Sequence, residues 1–252
     1  MKFLETLSKQ ESPLSLNTVV LITAYNEGQR IGRVIEGIKR ILPNIDVVVV
    51  DDGSKDDCRQ RAMEAGAKVI SHPFNLGYGS ALQTGYKYAL AMGYEASVQM
   101  DGDGQHDPSF ISDLLAILQQ DEADIVIGSR FLKRKDGESD PFLYRAPFTR
   151  KVGMGLFRTI TSFLIHQKVT DSTSGYQAMN RRVLEWVSGE QFPADYPDAD
   201  VIIMLHRAGF RIREVPVRMF ESQDKKSMHS GWKPLYYVFK MFLSIGVTLL
   251  RK

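Results

Sequence analysis

Two carboxylates separated by one glycine are the sharpest chemical feature of the sequence. Asp101 and Asp103 lie in the segment DGDGQH, which directly follows an apolar run. Carboxylates at positions i and i+2 of an extended chain point to the same side, and the glycines allow the backbone to approach a ligand closely. Mg²⁺ and Mn²⁺ bind one or two carboxylates together with phosphate oxygens of a substrate. The alternative is a solvated turn, because short motifs such as D-x-D often occur by chance.

Polar or glycine-rich residues follow the other apolar runs in the same way. They lie in the segments AYNE (24–27), DDGS (51–54), NLGYG (75–79) and SR (129–130). Ligands of an open parallel sheet bind beyond the carboxyl ends of the strands, so we expect these segments to meet at one rim. Asp51 and Asp52 either accept hydrogen bonds from a base or ribose, or cap the helix that follows. His106 either binds a metal or only lines the loop.

The elements that must position these residues alternate regularly in the first half of the chain. Short β-branched runs predict strands at 18–23, 46–50, 68–71, 96–100 and 124–128. Apolar residues at helical spacing predict helices at 28–42, 56–66, 79–92 and 109–120. Continuous apolar strands that alternate with helices predict a parallel sheet covered on both faces.

The second half of the chain is less regular. Its patterns predict helices at 147–165, 181–187, 199–208 and 232–250, a strand at 211–218, and a loop or strand at 169–179. The charged, glycine-containing segment 133–140 is typical of an exposed, mobile loop.

The composition limits the class of protein. A chain of 252 residues with 43% apolar and 25% charged residues is typical of a globular protein with one large or two small domains. The net charge of +2 argues against a nucleic-acid partner. Cys58 is the only cysteine, which excludes an internal disulfide and favours a reduced, cytoplasmic setting. We expect no secretory signal in residues 1–13 and no membrane span in the apolar run 234–250, which is shorter than the roughly 20 residues required.

The order of the motifs supports a resemblance to a known family. The sequence contains AYNE, VVVVDDGS, NLGYGSALQTGY, MDGDGQHDP, IGSR and DSTSGYQAMNR. This series resembles family 2 glycosyltransferases with a GT-A fold, over about residues 19–217. Within that family it resembles the dolichol-phosphate mannosyltransferase-like and polyprenyl-phosphate glycosyltransferase group. The resemblance implies an α/β, GT-A type nucleotide-binding domain with a mostly parallel central sheet flanked by helices.

The domain division expected from this resemblance has two parts. The GT-A domain comprises residues 1–230, with a donor half at about 16–130 and an acceptor half at about 131–230. Residues 231–252 form a C-terminal amphipathic helix.

The resemblance also implies roles for individual residues. Together, these residues would bind a UDP- or GDP-sugar and a divalent cation, Mg²⁺ or Mn²⁺. The nucleoside side comprises Tyr25 and Glu27 at the base and ribose, Asp52 with Asp51 at the nucleoside, and Asn75 and Gly77 at its border. The diphosphate side comprises Asp101, Gly102, Asp103 and Gln105 at the metal, and Arg130 at a phosphate. A metal and Arg130 would neutralise charge that develops on the leaving group.

The reaction expected from these roles inverts the configuration at the anomeric carbon of the sugar, because the acceptor attacks from the face opposite the leaving group. A hydroxyl acceptor needs a general base. Asp198 and Asp200 are candidates for it, and their alternative role is to supply negative charge at the N-terminus of the following helix. A phosphate acceptor is already anionic and needs no strong base.

Two predicted apolar helices favour a polyprenyl-phosphate acceptor. They also favour a role in cell-envelope glycan synthesis and a peripheral location at the inner face of the cytoplasmic membrane. Segments 147–165 and 232–252 combine apolar and aromatic residues with cations, as interfacial helices do. The alternatives are that they pack on the domain, form a homodimer interface or contact an integral membrane partner. The polar segment 225–230 precedes the last helix and is a candidate phosphate contact.

Three other functions remain open from the residues. The first is transfer to a hydroxyl of a growing polysaccharide or another glycan. The second is a nucleotidyltransferase, which requires a glycine-rich loop with Arg or Lys after the first strand, whereas TAYNE follows it here. The third is a non-catalytic nucleotide-sugar-binding subunit, against which the intact D-x-D motif argues.

Overall fold

Seven strands of the described residues form one central sheet. The computed structural model describes residues 16–132, 148–193, 197–220 and 233–250, without the side chains of 148–152 and 233–237. The strands are β1 (Thr18–Ala24), β2 (Asp46–Asp51), β3 (Lys68–Ser71), β4 (Ala96–Asp101), β5 (Ile125–Ser129), β6 (Gln177–Asn180) and β7 (Ile212–Pro216).

The sheet is mostly parallel, as the sequence predicts, with the strand order β3-β2-β1-β4-β6-β5-β7. The exception is β6, which runs antiparallel to both β4 and β5. It overlaps the end of the segment 169–179, which the sequence leaves open between loop and strand, and it separates β4 from β5. The segment before it therefore returns across the carboxyl ends of these strands and can contribute to the rim.

Helices cover the sheet and agree with the sequence prediction to within three residues at each end. They are α1 (Ile31–Ile41), α2 (Cys58–Glu64), α3 (Tyr78–Ala91), α4 (Ile111–Gln119), α5 (Phe148–Leu164), α6 (Arg181–Val187), α7 (Ala199–Arg207) and α8 (Lys233–Leu250). A single 3₁₀ turn at Pro108–Phe110 precedes α4. The largest difference is at α1, because residues 28–30 form a turn in which the Glu27 carbonyl accepts the Arg30 and Ile31 N–H groups.

Two apolar cores lie on opposite faces of the sheet. Alternate residues of β1 belong to different cores, with Val19 and Leu21 in one and Val20 and Ile22 in the other, as a strand buried on both faces requires. The first core includes buried residues of α3, α6, α7 and α8, and the second includes those of α1, α2 and α4. Since α8 contributes to the first core, it packs on the domain, while the domain division at residue 230 stays a prediction.

The carboxyl ends of the central strands are level with one another. Ala24 pairs with Asp51, and Thr23 pairs with Asp101. Backbone hydrogen bonds continue beyond the strands, because the Gly102 N–H donates to the Thr23 carbonyl at 3.0 Å. A Cβ at Gly102 would lie 3.1 Å from the Ala24 Cβ, so glycine permits this close packing. The loops that carry the predicted site therefore start from one rigid edge.

Candidate active site

Asp101 and Asp103 occupy the rim after β4. The Tyr78 hydroxyl, at the start of α3, donates to Asp101 Oδ1 at 3.0 Å. Asp103 Oδ1 accepts the backbone N–H of Gln105 at 2.9 Å, and the Gln105 side-chain amide donates to Asp103 Oδ2. Gln105 thus holds Asp103 in place, and its role as a metal ligand stays a prediction.

The electrostatics of this carboxylate pair suit a cation. Burial, followed by the negative charge of Asp103, raises the pKa of Asp101 to about 7, although the Tyr78 hydroxyl and Arg130 act against the rise. A bound cation would offset both the burial and the repulsion. Among the described residues no cluster of three His, Cys, Asp or Glu side chains can hold a metal. Asp101 and Asp103 offer two carboxylates, a donor set that fits a cation whose remaining ligands are phosphate oxygens.

His106 supports the carboxylate loop from behind. Its ring is buried and stacks on Tyr176 with a centroid distance of 4.9 Å. The Asp101 backbone N–H donates to His106 Nδ1 at 3.1 Å. Burial lowers the pKa of His106 to about 4, so the ring is neutral at pH 7 and carries its proton on Nε2. The ring therefore lines the loop in this structure, and a role of His106 as a metal ligand stays a prediction.

The loop before β6 covers the carboxylate site. A Cβ at Gly175 would lie 3.0 Å from the Tyr78 hydroxyl and 3.1 Å from Asp101 Oδ2. Glycine is therefore needed for the backbone to pack this closely against the Asp101 carboxylate. The Ser174 hydroxyl donates to the Gly128 carbonyl at 2.6 Å, which anchors the loop to β5.

Arg130 follows β5 and is bound by the same loop. Its guanidinium donates from Nε and Nη2 to the two oxygens of Asp171, at 2.6 and 2.7 Å. The Arg130 backbone N–H also donates to Asp171, and Nη2 of the guanidinium donates to the Thr173 hydroxyl. Arg130 and Asp171 are both buried, and the charge of Arg130 lowers the pKa of Asp101. Arg130 thus acts electrostatically on the carboxylate site, while direct contact with a phosphate stays a prediction.

Asp52 organises the nucleoside side of the rim. Its buried carboxylate accepts the backbone N–H groups of Leu76 at 2.8 Å and Gly77 at 2.9 Å. His72 Nδ1 lies 2.7 Å from Asp52 Oδ1, and His72 Nε2 lies 2.9 Å from the Thr84 hydroxyl. Asp52 therefore sets the start of α3 at Gly77, where φ is +97°. Its contact with a nucleoside stays a prediction.

The neighbouring loops after β1 and β2 are hydrogen-bonded to each other. Asn26 donates its N–H to the Ser54 hydroxyl at 2.8 Å, and its side-chain oxygen accepts the Lys55 N–H at 2.8 Å. Asp51 accepts the Ser54 N–H at 3.1 Å. The N-cap residue of α2 is Asp57, without a side-chain capping bond, and the first N–H group of the helix, that of Cys58, donates to Asp56 at 3.1 Å. The capping alternative raised for Asp51 and Asp52 therefore applies to neither carboxylate.

The remaining predicted nucleoside residues frame an open surface. Tyr25 is 42% exposed, and Asn75 is exposed. Glu27 lies in the turn before α1, where its carboxylate binds the Arg30 guanidinium at 2.6 Å. A Cβ at Gly53 would lie 2.7 Å from the Asn75 nitrogen, so the loops after β2 and β3 touch. Their contacts with a nucleotide stay predictions.

The two candidate bases occupy different environments. Asp198 is half-buried, and its charge contributes to raising the pKa of Tyr78, after burial, Asp101 and Tyr86. Asp198 thus acts electrostatically on Tyr78, the residue that donates to Asp101. Asp200 is fully buried, where it accepts the N–H groups of Asp198 and Val201 and the hydroxyl of Ser244. Asp200 thus lies in the first turn of α7, where the alternative to a general base places it, and its hydrogen bond with Ser244 joins α7 to α8.

Comparison with known proteins assigns this arrangement to a family. The sequence model of Glycosyl transferase family 2 matches residues 19–187, which spans β1 to α6 and every loop of the rim described above. The chain belongs to glycosyl transferase family 2. It is therefore a glycosyltransferase.

Relatives of this glycosyltransferase match along most of their length. The polyprenol monophosphomannose synthase of Mycolicibacterium smegmatis is 29% identical over 89% of this chain and 85% of its own. The UDP-N-acetylglucosamine–dolichyl-phosphate N-acetylglucosaminyltransferase of Methanococcus voltae is 30% identical over 91% and 97%. The Mycobacterium tuberculosis glucosyl-3-phosphoglycerate synthase, solved with Mn²⁺ and UDP-glucose, has a TM-score of 0.66 at 21% identity, over 92% of this chain and 80% of its own. This last likeness shows the GT-A-like fold.

Three residues of the glycosyltransferase rim are missed by sequence reasoning. Tyr78 contacts Asp101, His72 contacts Asp52, and Asp171 binds Arg130. Each lies inside or beside a motif used for the family resemblance, but none carries a local signal for its partner. The pairs are separated by 23, 20 and 41 positions. Only the paired strand ends bring them together.

Proposed function

We propose that the protein is an inverting glycosyltransferase that moves a sugar from a UDP- or GDP-sugar to the phosphate of a polyprenyl-phosphate lipid, in cell-envelope glycan synthesis. The observation that carries the donor side is the carboxylate pair at the rim after β4. Asp101 has a pKa raised by burial and by Asp103, so the pair gains from a cation that a nucleoside diphosphate brings with it.

The donor would bind along the rim from β3 to β4. Tyr25, Asn75 and Asp52 would lie at the nucleoside, and a divalent cation, Mg²⁺ or Mn²⁺, would be held by Asp101 and Asp103. The cation would supply charge stabilisation to the leaving diphosphate. The solved glucosyl-3-phosphoglycerate synthase contains Mn²⁺ with UDP-glucose, which supports this choice of donor class.

The acceptor proposal rests on the relatives and on the acceptor side of the rim. Two relatives that match most of this chain are named for polyprenol or dolichyl-phosphate substrates. A phosphate oxygen is a nucleophile at neutral pH and needs no general base. In this proposal Asp198 lies near the acceptor but does not remove a proton from it. The candidate phosphate contacts at 225–230 and the predicted loop at 133–140 lie outside the described residues.

Transfer to a lipid phosphate is tested by the chemistry of the product. The purified protein is incubated with Mn²⁺, a panel of UDP- and GDP-sugars and a short-chain polyprenyl phosphate. We expect one donor to give a lipid-linked sugar that mild acid hydrolyses, because a sugar-phosphate linkage is acid-labile. Transfer only to a glycan hydroxyl, with an acid-stable product, would overturn the acceptor assignment. Absence of turnover with every donor would overturn the donor assignment.

Asp198→Asn separates the two acceptor classes within the same assay. With a phosphate acceptor, we expect the variant to keep kcat within about tenfold of the wild type. Loss of a general base for a hydroxyl acceptor lowers the rate by about 10²–10⁴-fold. A loss of that size with the lipid phosphate would contradict the proposed chemistry.

We also propose that α5 and α8 lie on a membrane surface. Their outward residues are strongly exposed, with Phe163 at 74%, Phe239 at 64%, Leu243 at 56% and Leu250 at 85%. Phe157 of α5, which is buried, contacts Phe242 of α8 with ring centroids 5.8 Å apart, so the two helices pack against each other. No helix in the described part of the chain is long and apolar enough to cross a membrane.

Membrane binding is tested by co-sedimentation with vesicles of phosphatidylglycerol and phosphatidylcholine. We expect Phe239→Ser with Leu243→Ser to weaken binding about tenfold or more, because two exposed apolar side chains no longer enter the lipid. Met63→Ser is the matched control, since Met63 is 48% exposed on α2, on the opposite face of the sheet. Equal binding by all three proteins would contradict the proposal. A concentration-dependent dimer that the double variant abolishes would instead favour the homodimer alternative.

A further inference from the structure

A row of hydrogen bonds leads from the apolar core to the carboxylate site. The Tyr78 hydroxyl lies 3.0 Å from Asp101 Oδ1 and 3.1 Å from the side-chain nitrogen of Gln99. The Gln99 side-chain oxygen accepts the hydroxyl of Tyr86. Gln99 and Tyr86 are 3% and 2% exposed. The row Tyr86–Gln99–Tyr78–Asp101 thus joins α3 to β4 beneath the rim.

The direction of these hydrogen bonds follows from their last member. A carboxylate that holds a cation is ionised and can only accept hydrogen bonds. The single proton of the Tyr78 hydroxyl is therefore used on Asp101, and its oxygen must accept from Gln99. Gln99 then presents its oxygen to Tyr86, which donates. Each group has one orientation that satisfies its neighbours, so the row holds Tyr78 as a donor to Asp101.

The backbone around Tyr78 confines it further. Gly77, with φ at +97°, begins α3, and its N–H is held by Asp52 at 2.9 Å. On the other side, a Cβ at Gly175 would lie 3.0 Å from the Tyr78 hydroxyl, so the loop before β6 packs directly on this hydrogen bond. Tyr78 therefore cannot turn away from Asp101 without displacing a loop that belongs to the site.

We infer that Tyr78 is a positioning residue for the metal site, and that its hydroxyl sets the orientation of Asp101 for a divalent cation. The inference rests on the proposed function, which places the cation at Asp101 and Asp103. Hydrogen-bond donors to metal-binding carboxylates typically change metal affinity by about 10–100-fold. Within the described residues, the Tyr78 hydroxyl forms hydrogen bonds only with Gln99 and Asp101.

The test measures metal binding directly. Mn²⁺ is titrated into the wild type, Tyr78→Phe and Tyr86→Phe by calorimetry, alone and with saturating UDP or GDP. We expect Tyr78→Phe to raise the Kd for Mn²⁺ about tenfold or more. In the transfer assay it should raise the Mn²⁺ concentration for half-maximal rate by a similar factor, with kcat restored to within about threefold at saturating Mn²⁺.

Tyr86→Phe is the matched control for damage to the core. It removes the same hydroxyl group from the same row and leaves the Gln99 oxygen without a donor, but it leaves Tyr78 on Asp101. We expect both variants to lower the melting temperature to a similar extent, and only Tyr78→Phe to weaken Mn²⁺ binding by more than about threefold.

The outcomes separate this inference from the proposed function. Unchanged Mn²⁺ affinity in Tyr78→Phe, with tight binding in the wild type, would overturn the positioning role and leave the proposed function intact. An equal loss of affinity in both variants would also overturn it, because the effect would then come from the core. If the wild type binds no Mn²⁺, even with UDP or GDP, both the metal site and this inference are wrong.

Discussion

Asp103→Ala is expected to lower kcat for sugar transfer by about 10²–10³-fold or more while the protein stays folded. The substitution removes one of the two carboxylates of the proposed metal site, and with it half of the charge that this site offers a divalent cation. Loss of one group that stabilises developing charge on a leaving group has effects of this size. Steady-state kinetics with the donor identified by screening, together with a thermal melt, measures both quantities.

Stability should survive this substitution for an electrostatic reason. Asp103 contributes to raising the pKa of Asp101, so its removal relieves repulsion in the metal-free protein. Among the described residues, the Asp103 carboxylate forms hydrogen bonds only with Gln105. Asp113→Ala, which removes an exposed carboxylate of α4, is the control for total charge. Full activity in Asp103→Ala would show that the site is assigned wrongly, and a non-catalytic subunit would show no turnover in the wild type.

Asp171→Ala is expected to lower the free energy of unfolding by about 3–5 kcal/mol, the range for breaking a buried ion pair by removing one partner. Asp171 is 2% exposed and accepts three N–H groups of Arg130. Without it, a buried guanidinium loses its counter-charge. Urea denaturation followed by circular dichroism measures the change, and an unchanged m-value would show that the compactness of the unfolded chain is unaffected.

Two variants bracket this effect. Asp57→Ala breaks a pair with Arg61 in which both side chains are about half exposed, and exposed pairs contribute little; we expect no measurable change. Asp171→Asn retains an oxygen that can accept a hydrogen bond from Arg130. Its loss in the free energy of unfolding should therefore lie between those of Asp57→Ala and Asp171→Ala. A loss below about 1 kcal/mol in Asp171→Ala would contradict the buried-pair account.

The consequences of Asp171→Ala should extend to activity. Asp171 and Glu214 hold the segment before β6, since Glu214 accepts the N–H groups of Thr170 and Asp171 at 2.8–2.9 Å. That segment carries Gly175 onto the Asp101 carboxylate. Below its melting temperature, the variant should therefore also bind Mn²⁺ more weakly than the wild type, which the same calorimetric titration measures.

The donor half of the fold is predictable because its signals are local. Four of the strands from β1 to β5 are short runs rich in β-branched residues and β4 is a short, partly apolar run, and the helices between them have apolar residues at helical spacing. Parallel strands then require their carboxyl ends to share an edge, so the placement of Asp52 and Asp101 on the same edge of the sheet follows from the pattern alone. The family resemblance rests on the same loops.

The antiparallel strand β6 is not predictable in this way. It has four residues, QAMN, a length at which no periodicity is measurable. Its place between β4 and β5 depends on hydrogen bonds to strands about 50–80 positions earlier in the chain. The loop that precedes it brings Gly175 to Asp101 only because β6 runs in that direction.

The amino-acid sequence by itself determined the alternation of elements, the rim and the residue types at it, because these depend on periodicity and on neighbours along the chain. Only the tertiary structure decided which side chains form hydrogen bonds with the residues of the rim. The partners of Asp52, Arg130 and Asp101 are His72, Asp171 and Tyr78, and each pair forms where two loops pack. Local pattern cannot select one polar side chain among many for such a contact. Packing selects it, because a buried polar group must find a partner within hydrogen-bond distance.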